Sequence, residues 1–596
     1  MSKFAPLLLV PLLWSLPCAS SAATSASILP PAAAWRGASE KLLVPAHDRW
    51  ATPAEKSGFV SSPDYAQTRA YLDALDQASP LLSVHAFGAS YQGRELVYVL
   101  AKKPGSGRPV VVIQGGIHSG EIDGKDAGLM LLRDIALRGR DDLLDKVDVV
   151  FIPVLNVDAH ENASVFGRPN ARGPHSKGAR TNAQGLDLNR DYARLQSPEI
   201  GAVVKLLRRF DPALYIDVHV SDGTDYQYDI TYTFAGWGSY ARSRATAGWL
   251  MSDYTRDVDA ALTAQGHLPG VYPSWIDEDA PARGLRISAE GPRYSTGYGD
   301  FAGIPTVLVE NHTMKPYRQR VLGTYVLLEQ SIRTVARDRE RIARDKAADR
   351  AARPARLMVR WEREAEPLAT RDFKGYRYDS YASPASGAAE LRWTGQPVTV
   401  PLPVYGVRST KEIVYPLAWW VAPEQKDIIA TLQAHGVAMQ ALGQACSMPL
   451  EVVQLASGKV RGALHRVVKP VVLPKGAYRI SADQPARAIA AALLEPESDD
   501  SFLAIGYFDQ ALPPESKLPR HLLAPLADRM MASDPALRAA FHEALAQDAS
   551  FAANPQARLQ WWLDRSAYGE RSRFSYPVMM EREGGACGRD AAPGAA

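Results

Sequence analysis

The stretch Val110-Val-Val-Ile113-Gln-Gly-Gly-Ile117-His118-Ser-Gly-Glu121 decides the fold. Four consecutive apolar residues at 110–113 read as a buried strand. Gln114-Gly-Gly-Ile117 turns the chain out of it. A histidine and a carboxylate three residues apart then open the next helix, predicted over about 123–138. Outward from this unit the pattern repeats. Segments 96–101, 147–154, 214–218 and 306–309 read as strands, and 197–209 reads as a helix. Ser62-Pro63 looks like a helix start, with Pro at the first helical position. Strands alternating with helices predict an α/β domain with a mixed, largely parallel sheet flanked by helices. A helix from Tyr317 to about Arg353 closes it. Its second half is a run of Arg, Asp, Glu and Ala, which predicts a solvated face.

The chain has 596 residues, more than one hydrophobic core organises, so at least two domains are expected. Apolar content of 46%, charged content of 22% and a net charge of +3 are ordinary for a soluble protein and make no case for nucleic acid. Residues 1–23 have the form of a secretory signal: Lys3, then the apolar run from Leu7 to Leu16, then small residues up to Ala22 and Ala23. A lipoprotein reading through Cys18 is poor, because Pro17 precedes it. The expected location is secreted or periplasmic. No later segment is long and apolar enough to span a membrane. Cys446 and Cys587 remain after cleavage. They could form one disulfide, and they exclude a cysteine-based zinc finger. Residues 24–60, rich in Ala, Ser and Pro, predict a loosely ordered arm. Residues 61–353 form the α/β domain. Beyond 354, strand-like segments at 397–404 and 468–473 hold prolines, and a helix is predicted at 424–435. This half reads as a second, β-rich α/β or α+β domain. Leu494-Glu-Pro-Glu-Ser-Asp-Asp500 reads as a solvated acidic loop, at most a weak cation site.

The predicted strand ends carry the chemistry. His118 and Glu121 follow the strand at 110–113, His219 directly follows 214–218, and Glu310 directly follows 306–309. Open α/β sheets bind ligands at the carboxyl ends of their strands. Two His and one Glu, with a fourth position left for water, make a hydrolytic zinc site. A second Glu is a candidate base. Each residue alone has a plainer reading as a loop histidine or a helix-capping carboxylate, and together those readings must all hold at once. Between them lies Arg180-Thr-Asn-Ala-Gln-Gly-Leu-Asp187-Leu-Asn189-Arg190, a polar loop whose arginines suit a fixed carboxylate on a substrate.

The order His118-x-x-Glu121, Arg180, Asn189-Arg190, His219, Glu310 resembles the zinc metallocarboxypeptidase family over about residues 60–345. The resemblance implies one zinc per chain, held by His118, Glu121 and His219, with Asp187 orienting His118. It implies that Asn189 and Arg190 clamp the free C-terminal carboxylate of a peptide, and that Arg180 stabilises the oxyanion. Glu310 would take a proton from a zinc-bound water and pass it to the leaving amine. Tyr294 fits the family's loop tyrosine better than Tyr298 does. The sequence also departs from the family. Asp191 follows the clamp and puts a negative charge near it. Gly299 and Asp300 are both candidates for the floor of the side-chain pocket. An Asp there would favour a basic C-terminal residue. The leading expectation is an exported exopeptidase acting on the C-terminal peptide bond. An amidase or deacylase of the same fold, acting on cell-wall peptides or N-acyl amino acids, stays open. So does an inactive peptide-binding module. Neither HExxH nor GxSxG occurs.

Overall fold

A computed structural model describes residues 29–455, 464–509, 518–571, 574–585 and 587. The predicted export signal at 1–23 lies outside the described residues.

An eight-stranded sheet is built from β1 (Leu82–Ala89), β2 (Glu95–Ala101), β3 (Val110–Gly115), β4 (Asp148–Ile152), β5 (Leu214–Val220), β6 (Ile230–Thr233), β7 (Pro269–Val271) and a later strand, Thr306–Asn311. A short strand, β8 (Leu285–Arg286), lies outside it, so the strand at 306–311 is β9. The order is β1-β2-β4-β3-β5-β9-β6-β7. The four central strands β4, β3, β5 and β9 are parallel. The antiparallel pairings lie at the flanks. The mixed, largely parallel sheet expected from the sequence is therefore present. β4 and β5 are buried along their whole length, as strands covered on both faces must be.

Helices Asp123–Leu137 and Tyr317–Ala351 cover one face, where Val111, Ile113, Ile216 and Val307 meet Leu129, Leu132, Val321 and Leu328. Helix Pro198–Phe210 covers the other, through Val203 and Leu207 against Val112, Val150 and Tyr215. The turn out of β3 depends on its glycines. A Cβ at Gly115 would meet the carbonyl oxygen of Pro153 at 2.9 Å, and Gly116 has φ +64°. That left-handed conformation is strained for other residues.

The region after 354 is β-rich, as expected. Strands β10 (Arg356–Arg363) and β13 (Val407–Val414) pair with each other. Strands β11 (Ala369–Ala382) and β12 (Ala389–Tyr405) form a long hairpin, and β12 also pairs with β8. A six-stranded sheet follows, with a disulfide joining Cys446 to Cys587. Trp419, Ile480, Ile489 and Leu493 of this region share one buried cluster with Val112, Val203 and Tyr298. The two halves thus meet over a continuous apolar surface.

Several local expectations are corrected. Both β5 and β9 run past the predicted ends, so His219 and Glu310 lie within the strands, paired in register. The helix expected at Ser62-Pro63 starts at Tyr65, because Asp64 caps it reciprocally with Gln67. Residues 29–60 are no loose arm. Trp35 Nε1 donates to Gly266 O at 2.8 Å, Ser39 Oγ lies 2.8 Å from His267 Nε2, and Glu55 forms a fully buried ion pair with Arg133 at 2.6 Å. The charge run on the closing helix is largely paired: Lys346 and Arg350 hold Asp211, while Arg337 and Arg341 hold Asp257 and Asp253. The acidic loop is not solvated either. Glu495 and Asp500 are buried, Glu497 pairs with Arg466, and Asp500 pairs with Arg293.

Candidate active site

The carboxyl ends of β3, β5 and β9 open into one cavity of ≈ 470 Å³. It is lined by His118, Glu121, His219, Glu310, Arg180, Asn189, Arg190 and Tyr294, so of the residues to which the resemblance gives a role only Asp187 does not face it. Asp187 stands directly behind His118.

The three candidate metal ligands are buried, and their donor atoms lie within 4.8 Å of one another. Glu121 sits between the two rings. His118 Nδ1 is 3.2 Å from Glu121 Oε1, and His219 Nδ1 is 3.0 Å from Glu121 Oε2. The far nitrogens are also engaged. His118 Nε2 is 3.0 Å from Asp187 Oδ1, and His219 Nε2 is 2.8 Å from Asp217 Oδ2. An ionised carboxylate only accepts, so each Nε2 carries a proton. In the neutral ring Nδ1 then holds a lone pair, and both lone pairs point at a carboxylate. Such a group is at rest only with a cation among its donors or with an extra proton on the rings. Burial opposes an imidazolium at His219, but Asp217 and Glu121 outweigh it and hold its pKa well above the ordinary value. Burial likewise pushes Glu121 up, while Arg168 and His118 outweigh it and bring its pKa well below the usual range. The donor set fits a zinc ion: two imidazoles fixed by carboxylates behind them, and one carboxylate.

Glu310 lies beside His219 in the β5–β9 register. Its Oε2 is buried without a hydrogen-bond partner. Burial raises its pKa to about 8; His219 opposes the rise, and Glu121 and Asp222 add to it. That is a carboxyl group poised to hold a proton.

The loop at 180–190 folds around Asp187. Its carboxylate takes Arg180 Nε at 2.9 Å and the backbone N–H of Asn189 at 3.0 Å. Asn189 Oδ1 accepts from Ser295 N at 2.9 Å, which orients the side-chain amide and leaves its NH₂ for a ligand. The Arg190 guanidinium lies 4.6 Å from the centre of the Tyr294 ring and is 44% exposed, so it is held yet open to the cavity. Tyr298 packs in the core against Tyr192 and His435, away from the cavity.

Three details differ from the sequence reading. Asp191 puts no charge on the clamp, because its carboxylate accepts from Gln196 N, Ser197 N and Ser197 Oγ at 2.7–3.0 Å. Gly299 is pressed against Thr306, where a Cβ would lie 1.9 Å from Oγ1. Asp300 is buried and accepts from the backbone N–H groups of Arg242 and Ser243. Neither lines the cavity. That part of the wall is made by Phe234, Trp237, Ser288, Glu290, Thr296 and Trp361. Burial raises the Glu290 pKa to about 7, although its carboxylate accepts from Thr296 Oγ1.

Residues missed in the sequence include Asp217 and Arg168. Asp217 carried a signal, being a charge inside an apolar strand two residues before His219. Arg168 carried none. Its guanidinium reaches Glu121 Oε1 at 2.6 Å and the carbonyl oxygen of Ser221 at 2.9 Å from a distant loop.

Residues 68–257 match the zinc carboxypeptidase family. The matched span contains the His-Glu-His cluster and the clamp loop, and the whole sheet carrying them has the order described above. The likeness to the zinc carboxypeptidases thus lies in the part of the chain that carries the cluster and the loop. Among curated relatives, carboxypeptidase B of Astacus astacus is 28% identical over 142 residues, 23% of this chain and 46% of the relative, so the match spans less than half of that enzyme's length. Carboxypeptidase 2 of Trichophyton tonsurans is 23% identical over 456 residues, 70% of this chain and 78% of the relative. Among solved structures, a metallo-carboxypeptidase from Burkholderia cenocepacia aligns over 46% of this chain and 69% of its own, at 18% identity and a TM-score of 0.35. The family match ends before Glu310 and Tyr294, which only the fold brings to the cluster. Among the described residues no helix is long and apolar enough to cross a membrane.

Proposed function

We propose that this protein is an exported zinc exopeptidase that hydrolyses the C-terminal bond of peptides. The observation that carries the reading is the sharing of one cavity by His118, Glu121, His219 and Glu310 with Asn189, Arg190 and Arg180. Hydrolytic groups and a carboxylate receptor thus face the same space.

His118, Glu121 and His219 would hold the ion, with Asp187 and Asp217 fixing the two rings. Bound there, zinc supplies a Lewis-acid charge that makes water a usable nucleophile near neutral pH. Asn189 and Arg190 bind the terminal carboxylate and so select the last residue of the chain. Arg180, which lines the same cavity, stabilises the negative charge that develops on the carbonyl oxygen. Glu310 takes the proton from the attacking water as the C–O bond forms. It returns that proton to the amine nitrogen as the C–N bond breaks. Tyr294, stacked on Arg190, walls the space for the bound residue. Export is supported by the N-terminal sequence and by the Cys446–Cys587 disulfide, a bond of oxidising compartments.

The test is Glu310→Gln. As Glu310 is the base and not a ligand, the variant is expected to bind zinc stoichiometrically by elemental analysis while peptide turnover falls by about 10³-fold or more. Undiminished turnover would overturn the mechanism.

A further inference from the structure

The segment 284–296 supplies much of the cavity wall: Arg286, Ile287, Ser288, Glu290, Tyr294 and Thr296. On one side it is tied to the carboxylate clamp, through Ser295 N on Asn189 Oδ1 and Tyr192 N on Arg293 O. At its start it is tied to 274–276, through Arg286 N on Ser274 O at 2.8 Å and Ile276 N on Gly284 O at 3.1 Å, and at three further points it is tied to the region after 354. β8 pairs with Val404 and Tyr405 of β12, and Ile287 N donates to Tyr405 O at 2.8 Å. Trp361, on β10, donates from Nε1 to Ser288 Oγ at 3.0 Å, and its ring is itself part of the cavity wall. Arg293, next to Tyr294, donates from Nε to Asp500 Oδ1 at 2.7 Å and from Nη2 to Asp499 O at 2.8 Å. The backbone lies so close to Asp500 that a Cβ on Gly291 would meet Oδ2 at 2.1 Å. Asp499 is in turn paired with Arg360 of β10 at 3.0 Å.

We infer that the region after residue 354 is part of the substrate site: β12, Trp361 and the Asp499–Asp500 corner fasten segment 284–296 at three points and hold Tyr294 and the pocket wall in their binding arrangement before substrate arrives. The inference rests on the proposed function for its kinetic consequence but not for the clamp itself. A free loop pays its ordering entropy on binding, and a fastened one does not. Asp500 is 5% exposed, so its bond to Arg293 is shielded from water. Arg293, Asp500 and Trp361 are positioning residues. They act through Tyr294, Ser288 and Glu290, and of the three only Trp361 reaches the cavity.

The experiment uses the full zinc-loaded protein and Asp500→Asn, which keeps the shape and removes the charge. Hydrogen exchange at the amides of 287–296 is expected to quicken by about tenfold while the amides of β3 and β5 stay unchanged. On a peptide with a free C-terminus, KM is expected to rise about tenfold with kcat within about threefold. Arg293→Lys is expected to fall between the wild type and Arg293→Ala. Asp483→Ala, an exposed acid elsewhere in the same region, is expected to change nothing. Trp361→Phe, which keeps a smaller aromatic ring and loses the hydrogen bond to Ser288, is the second probe if Asp500→Asn does not fold, with the same direction of change in exchange at 287–296. Exchange at 287–296 equal to wild type in these variants would overturn the clamp, as would a loosened segment with KM unmoved. A wild-type protein that releases nothing from peptides would refute the proposed function and leave the exchange test of the clamp intact.

Discussion

At the scale of residues, the site is a matter of which lone pairs and charges face one another. His118 and His219 each spend one nitrogen on a carboxylate behind them and turn the other toward Glu121. Arg190 is different, being 44% exposed, stacked on Tyr294 and part of the cavity wall, with its Nη1 donating to the Asn189 carbonyl oxygen at 2.7 Å. Arg190→Ala is expected to lower kcat/KM on peptides with a free C-terminal carboxylate by about 10²-fold, because a charge-assisted pair is lost on the substrate. The same change should narrow the gap between free-acid and amidated peptides, measured side by side. An unchanged gap would remove Arg190 from the clamp. His118, Glu121, His219, Glu310, Arg180, Asn189 and Arg190 could be picked out in the sequence because rare residue types stood at strand ends and in one polar loop. Arg168 and Trp361 could not, since each reaches the site across a long sequence separation from an unremarkable context. Gly299 and Asp300 were misread for the opposite reason: nearness to Tyr294 in the sequence did not turn them toward the cavity.

At the scale of elements, the α/β reading followed from short apolar runs set between helical patterns. Runs such as Val110–Ile113 hold only if both faces are covered, and both are. β6 and β7 went unseen because they are short and lie at the sheet margin, where no long apolar run is needed. Composition alone predicts a loose N-terminal segment, and long-range contacts order it. Its Ala, Ser and Pro say nothing of partners as far away as Gly266, His267 and Arg133. Glu55 is the anchor of that segment. Its carboxylate accepts from Thr52 N at 2.7 Å and takes Arg133 Nη1 at 2.6 Å, with both side chains of the ion pair at most 1% exposed. Glu55→Ala leaves a buried guanidinium with one carboxylate fewer, and is expected to destabilise the domain by about 3 kcal/mol or more. Thermal unfolding followed by circular dichroism measures this. A midpoint within a degree of wild type would show the segment to be dispensable.

At the scale of the whole molecule, the second half is no appendage. Its apolar residues complete the cluster on one face of the catalytic sheet, and its strands hold the loop that walls the cavity. The sequence told only that this half is β-rich with many turns, since contacts between distant halves leave no periodicity to read. The central claim is that a zinc site and a carboxylate receptor in one cavity make an enzyme that trims chains from the carboxyl end. The most direct measurement is to incubate the zinc-loaded protein with a mixed library of free-acid and C-terminally amidated peptides, and to follow the products by mass spectrometry. The account predicts stepwise loss of single residues from the free carboxyl end, with amidated peptides left intact. Release of residues from the amino end, internal cleavage, or equal attack on the amidated peptides would contradict it.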